Sequence, residues 1–201
     1  MKLYYKPGAC SLAAHIVANE AGLPVAFEQV DLANKKTADG GDYFEISPNG
    51  YVPALALGDE QVITEASVVV QYLADQKPEA GLMPAAGSMA RYKAQQWLAF
   101  ISTELHKNFG MFFRPDSTDA LKAANRALIE KRLAYVDRQI GEGTYLLGDT
   151  FTAPDAYLFT VLRWAGFAGV STEGLSNLAR WVAAVSARPA VQKTLGEEGI
   201  A

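Results

Sequence analysis

Apolar positions in the first 77 residues switch between two periods. Leu3 to Lys6 reads as a short strand, Pro7-Gly8 breaks it, and Ser11 to Ala21 carries a helical stripe of Leu12, Ala13, Ile16, Val17 and Ala21 closed by Gly22. Val25 to Leu32 reads as a second strand, so the opening is a βαβ unit whose helical crossover implies parallel pairing. A polar, glycine-bearing stretch from Asn34 to Asp42 is irregular and ends near the turn Ser47-Pro48-Asn49-Gly50. Val52 to Leu57 and Gln61 to Thr64 flank Gly58-Asp59 as a hairpin, and Ala66 to Gln76 places Val68, Val69, Tyr72 and Leu73 along a helix stopped by Lys77-Pro78.

After residue 77 the strand patterns stop. Residues 78–87, PEAGLMPAAG, have a linker's composition, which predicts one domain over 1–77 and a second over 88–201. The second domain reads as all α. A long helix from Met89 to Phe113 is followed by helices over Thr118–Ile140, Pro154–Ala165, Leu175–Ala187 and Pro189–Leu195, with a tight connection at Tyr145–Asp149. Phe151-Thr152-Ala153-Pro154-Asp155 reads as a helix start in which Thr152 caps the first amides and Asp155 reaches back, as a surface cap or as a buried folding element.

Composition narrows the functional classes. Half of the residues are hydrophobic and a fifth charged, and no apolar run reaches the ~20 residues of a membrane span. The net charge is -4 with scattered basic residues, which argues against nucleic acid as a partner. One cysteine excludes an internal disulfide, and one cysteine with two histidines argues against a structural metal; both fit a cytoplasmic protein. The first residues show no signal-peptide pattern, so no targeting segment is expected.

Four features carry candidate chemistry. Cys10 sits at a helix start, where free amides and partial positive charge favour a thiolate, unless it is only a small buried hydrophobe. Position 13 is alanine, which rules out a Cys-x-x-Cys redox pair. Val52-Pro53 places a proline in a strand pattern, which predicts an edge whose Val52 backbone is open to another extended chain; the Val-Pro bond is a candidate for cis. Glu65-Ala66 opens a helix, so a carboxylate stands beside amides able to hold an anion, a pairing suited to a zwitterion or simply a favourable first-turn acid.

The fourth feature is a small and polar stripe on the long helix, formed by Ala99, Thr103, His106 and Gly110 at spacings of four, three and four. His106 is a candidate donor or acid-base group there, or a satisfied structural histidine. His15 falls five residues past Cys10, out of helical alignment, and is read as structural. Phe113 and Trp164 are candidates for an apolar pocket between the domains, or for core.

The pieces YYKPGACSLAAHI, NGYVPAL, TEASVVVQYLAD, TELHK and FTAPDAYLFTVLRW, in this order, span essentially the whole chain. Together they resemble the bacterial glutathione transferases of the beta class, which place a cysteine at the start of the first helix. The resemblance implies an α/β thioredoxin-like N-terminal domain (βαβ-ββα), an all-α C-terminal domain and a homodimer. It implies conjugation of the thiol of reduced glutathione to hydrophobic electrophiles, in detoxification, with glutathione as co-substrate and no metal. Cys10 would contact the glutathione sulfur or form a mixed disulfide with it, and Lys35 would meet the glycyl carboxylate. Val52, before a cis Pro53, would pair with the cysteinyl part, and Glu65 with the amide of Ala66 would hold the γ-glutamyl end. Ala99 and the run Thr103, Glu104, Leu105, His106 and Lys107 would complete the site, from the same chain or its dimer partner, and Phe113 and Trp164 would line the electrophile pocket.

Two positions depart from the pattern: relatives often carry Ser at position 66 and Asn at position 99, and both are alanine here. The absent amide at position 99 removes one hydrogen bond, worth roughly 1 kcal/mol. Two other readings stay open, glutathione-dependent disulfide exchange or peroxide reduction through Cys10, and a non-catalytic carrier of apolar ligands.

Overall fold

In the computed structural model, residues 1–58 and 61–201 are described. The chain divides into two units, one formed by Met1–Met83 together with Arg188–Ala201 and the other by Pro84–Ala187. The first unit therefore includes the C-terminal helix, a departure from the sequence-based partition at residues 77 and 88. The cause is side-chain complementarity at long range, which the local pattern does not carry. The C-terminal helix packs against the first helix, Arg188 pairs with Glu20 at 2.6 Å, and Asn19 donates to Thr194 at 2.8 Å.

The first unit holds β1 (Lys2–Tyr5), α1 (Ser11–Ala21), β2 (Ala26–Gln29), β3 (Ala54–Ala56), β4 (Val62–Thr64) and α2 (Ala66–Asp75). Its four-stranded sheet has the order β2-β1-β3-β4, with β1 and β2 parallel and the other neighbours antiparallel. The expected crossover and hairpin are both present; Asp59 of the expected Gly58-Asp59 turn lies outside the described residues. Leu3, Leu12, Ile16, Val17, Leu55, Val69, Val70 and Leu73 are fully buried, so the apolar stripes of α1 and α2 close the core of this unit. A second buried cluster contains Tyr4, Val30, Tyr43, Val52 and Ala54.

The hairpin corrects one expectation: β3 lies between β1 and β4 and is not an edge. Proline has no N–H to give to a ladder, so the strand starts only at Ala54, after Pro53. The backbone of Val52 is left outside the ladder by that start rather than by an edge position.

The second unit contains α3 (Met89–Phe100), α4 (Lys107–Gly110), α5 (Asp119–Ile140), α6 (Ala153–Leu162), α7 (Ala165–Ala168) and α8 (Ser176–Ser186). The remaining helix, α9 (Pro189–Glu197), is the one that packs on α1. Ser88 caps α3 by accepting from the Arg91 amide, and Thr118 caps α5 by accepting from Leu121. Asp155 is a buried element rather than a surface cap. Its carboxylate accepts from the amides of Leu146 and Thr152, the Thr152 hydroxyl and the Trp181 indole, all at 2.8–2.9 Å. Burial pushes its pKa up, and these donors act against that shift.

The expected continuous helix over Met89–Phe113 is interrupted. Ile101–His106 forms a π-helical turn, closed where the Lys107 amide reaches back to the Ser102 carbonyl, and Met111–Phe113 ends the run as a 3-10 turn. The wider turn changes which side chains share a face and splits the predicted Ala99, Thr103, His106 and Gly110 stripe.

Candidate active site

In the first unit the loop before α1 brings Cys10 to Val52. The Cys10 thiol donates to the Val52 carbonyl at 3.0 Å, and the Val52–Pro53 peptide is cis. The thiolate expected at Cys10 is not what this arrangement favours. Burial of the sulfur, reinforced by the negative charge of Glu65, pushes the thiol up to about 12, although the Cys10 and Ser11 amides oppose the shift. The helix start supplies the amides the sequence argument called for, and desolvation outweighs them.

The turn before Val52 is tied down from several sides. Tyr43 and Ser47 hydroxyls donate to the Tyr51 carbonyl at 2.9 and 3.0 Å, and Lys35 Nζ donates to the Gly50 carbonyl at 2.7 Å. Lys35 has φ of 53° and its ammonium lies 5.6 Å from the centre of the Tyr51 ring. Lys35 thus belongs to the same loop as Val52.

Glu65 stands immediately before α2 with φ of 66°, a left-handed conformation that costs a non-glycine residue about 1–3 kcal/mol. Its carbonyl accepts from the amides of Val68 and Val69, both at 2.9 Å, which leaves the Ala66 and Ser67 amides without an intrahelical acceptor. The Glu65 side chain is exposed and Ala66 is buried. A carboxylate beside open amides matches the zwitterion-binding pattern read from the sequence.

In the second unit the π turn sorts the remaining candidates. His106 is half-buried, with Nδ1 2.6 Å from the Tyr157 hydroxyl and its ring 5.1 Å from Trp164. Burial lowers its pKa to about 4, so the ring is neutral at neutral pH. Thr103 is exposed and turns its hydroxyl back to the Ala99 carbonyl at 3.0 Å; Ala99 and Lys107 are also exposed. Glu104 pairs with Arg132 at 2.7 Å. Leu105 is fully buried, so its side chain serves the core of this unit and not a ligand.

Phe113 meets Trp164 edge to face at 5.5 Å and stacks on Phe167 with ring centres 5.0 Å apart. Both phenylalanines are more than half exposed, at 53% and 69%, so this aromatic group is not closed core. Phe167 and Tyr157 escaped the sequence reading. Tyr157 lies seven residues before Trp164, two turns of the same run, and that spacing was the available signal. His15 does not partner Cys10: its two ring nitrogens each lie 3.0 Å from a carboxylate, of Glu198 and Glu197.

Comparison with known proteins places this geometry. Residues 8–76 match the glutathione S-transferase N-terminal domain family and residues 100–189 the glutathione S-transferase C-terminal domain family. The chain is 46% identical over 200 residues to glutathione S-transferase GstA of Escherichia coli O157:H7, with both chains fully covered. Its fold superposes on BphK, a bacterial GST solved as a ternary complex, with a TM-score of 0.97 and 50% identity over 99% of this chain and 100% of that one. A beta class enzyme from Sphingomonas chungbukensis gives a TM-score of 0.96 at 36% identity, with both chains fully covered. With two family matches along its length and relatives of this similarity, the chain belongs to the glutathione S-transferase family, in its beta class.

Proposed function

We propose that the protein is a cytoplasmic, homodimeric glutathione transferase that joins the thiol of reduced glutathione to hydrophobic electrophiles. The observation that carries the reading is the Cys10 thiol 3.0 Å from a Val52 carbonyl that lies outside the sheet ladder. Val52 offers backbone groups to the cysteinyl part of the tripeptide, Lys35 offers an ammonium to its glycyl carboxylate, and Glu65 with the Ala66 amide suits its γ-glutamyl zwitterion. When the peptide takes the Val52 carbonyl, the Cys10 S–H is released to donate to the glutathione sulfur.

His106 is assigned the second donor. The ring is neutral, and we assign its Nδ1 as the acceptor of the Tyr157 hydroxyl 2.6 Å away and its proton to Nε2, where it stabilises a thiolate without becoming charged. The glutathione thiol gives its proton to solvent; the thiolate forms a C–S bond with the electrophile, and the leaving group departs with its bonding pair. Phe113, Phe167 and Trp164 offer the aromatic surface for apolar electrophiles. Thr103, Glu104, Lys107 and Ala99 are assigned to the glutathione side by the family resemblance, and the exposed Phe44, Tyr51 and Tyr92 support a dimer.

A protonated Cys10 favours conjugation over disulfide exchange, because the thiol form is a poor nucleophile. The test compares conjugation of an aromatic halide by wild type, Cys10→Ala and His106→Ala, with glutathione binding measured by calorimetry. Loss of the His106 donor is expected to lower kcat/KM by about tenfold or more, as for a hydrogen bond to a charged group. Cys10→Ala is expected to keep conjugation and lose disulfide exchange. A wild type with neither conjugation nor detectable glutathione binding would overturn the assignment.

A further inference from the structure

Glu198 follows α9 directly and has no part in the machinery described above, yet its carboxylate is fully enclosed. One oxygen accepts the Gly8 amide at 2.9 Å, and the other lies 3.0 Å from His15 Nδ1. His15 Nε2 in turn faces Glu197 at 3.0 Å, so the ring bridges the two carboxylates. Phe27 stacks on the His15 ring at 3.8 Å, Tyr5 meets it at 5.5 Å, and Asn19 and Lys193 hold Glu197 at 2.8 and 3.2 Å. The Tyr5 hydroxyl is pushed up by burial and by the two carboxylates.

Gly8 is the amide that matters. It lies in the turn after Pro7 with φ of 70°, and two residues later the chain reaches Cys10. A buried carboxylate from the far end of the sequence therefore fixes the peptide that aims the only thiol in the chain. We propose that Glu198 is a positioning residue for Cys10, holding the Pro7-Gly8 turn so that the thiol meets the Val52 carbonyl, with His15 holding Glu198. A displacement of 1 Å in such a support is felt at the reacting atoms. The proposal rests on the assignment of Cys10 to the glutathione site.

Alkylation of Cys10 by iodoacetamide in the full-length, glutathione-free protein at pH 7.5 tests it, because no other cysteine reacts. Glu198→Ala is expected to raise the alkylation rate at least about fivefold, since a freed thiol returns toward its ordinary reactivity. It is also expected to raise KM for glutathione more than it changes kcat. Glu198→Gln, whose amide oxygen still accepts the Gly8 N–H, is expected to restore a rate within about twofold of wild type. Asn19→Ala is the control, because it loosens α9 without touching Gly8, and its rate is expected to stay unchanged. If Glu198→Ala is insoluble, Glu198→Asp keeps the charge, shortens the reach by one methylene and is expected to raise the rate at least about threefold.

A folded Glu198→Ala with the wild-type rate would overturn the proposal, as would equal rate changes in Glu198→Ala and Asn19→Ala. The underlying assignment fails by a different result. If Cys10→Ala leaves glutathione affinity and disulfide exchange both unaltered, Cys10 lies outside the machinery, and the alkylation rates still decide whether Glu198 positions it.

Discussion

Glu65 carries two demands that pull against each other. Its backbone sits at φ of 66°, which disfavours any residue with a Cβ, while its carboxylate stands beside the open amides at the start of α2. Glycine would relieve the first demand and remove the second. Glu65→Gly is therefore expected to hold or raise stability to urea by up to about 1 kcal/mol while weakening glutathione binding at least tenfold. Chemical denaturation and calorimetry on the same preparations check the pair of outcomes. A variant that loses stability and keeps affinity would show that the strain serves the fold and not the ligand. The sequence located Glu65 because residue type and helix start are both local signals. At Cys10 the amides that favour a thiolate are local in sequence, whereas the Glu65 charge that opposes it and the Val52 carbonyl that accepts the thiol come from distant positions.

At the scale of elements, α6 depends on one buried carboxylate. Asp155 satisfies the Thr152 and Leu146 amides and the Trp181 indole, so it ties the start of α6 to the connection before it and to α8. Replacing it by alanine leaves these buried donors unpaired, at about 1–3 kcal/mol each before relaxation. Asp155→Ala is expected to lose about 3–5 kcal/mol, and Asp155→Asn somewhat less because one oxygen still accepts. Urea unfolding followed by tryptophan fluorescence reads the loss. The folded fraction is expected to keep its kcat, since none of the residues assigned to glutathione touches Asp155.

The cap was legible in FTAPD because its spacing is local, but its burial was not. The π turn at Ile101–His106 was not legible either, since ISTELH has ordinary helical content and the wider turn is selected by packing. Its effect is to send His106 inward to Tyr157 and Trp164 while Thr103 and Lys107 stay exposed.

At the scale of the whole molecule, the chain returns to its first unit for its last helix. Val191 is fully buried and Leu195 nearly so, both on α9, and α9 packs on α1. Removing the five side-chain carbons lost in the double variant Val191→Ala/Leu195→Ala costs about 3–6 kcal/mol, a large part of the ~5–15 kcal/mol that a domain of this kind holds. The three tryptophans, Trp97, Trp164 and Trp181, all lie in Pro84–Ala187, whereas Cys10 lies in the other unit. Two probes therefore report the two units separately. In the double variant the urea midpoint for Cys10 alkylation is expected to fall by more than the midpoint for tryptophan fluorescence, because the lost contacts belong to the unit that contains Cys10. Coincident midpoints, shifted equally, would show instead that the chain unfolds as one cooperative body and that α9 stabilises both units alike.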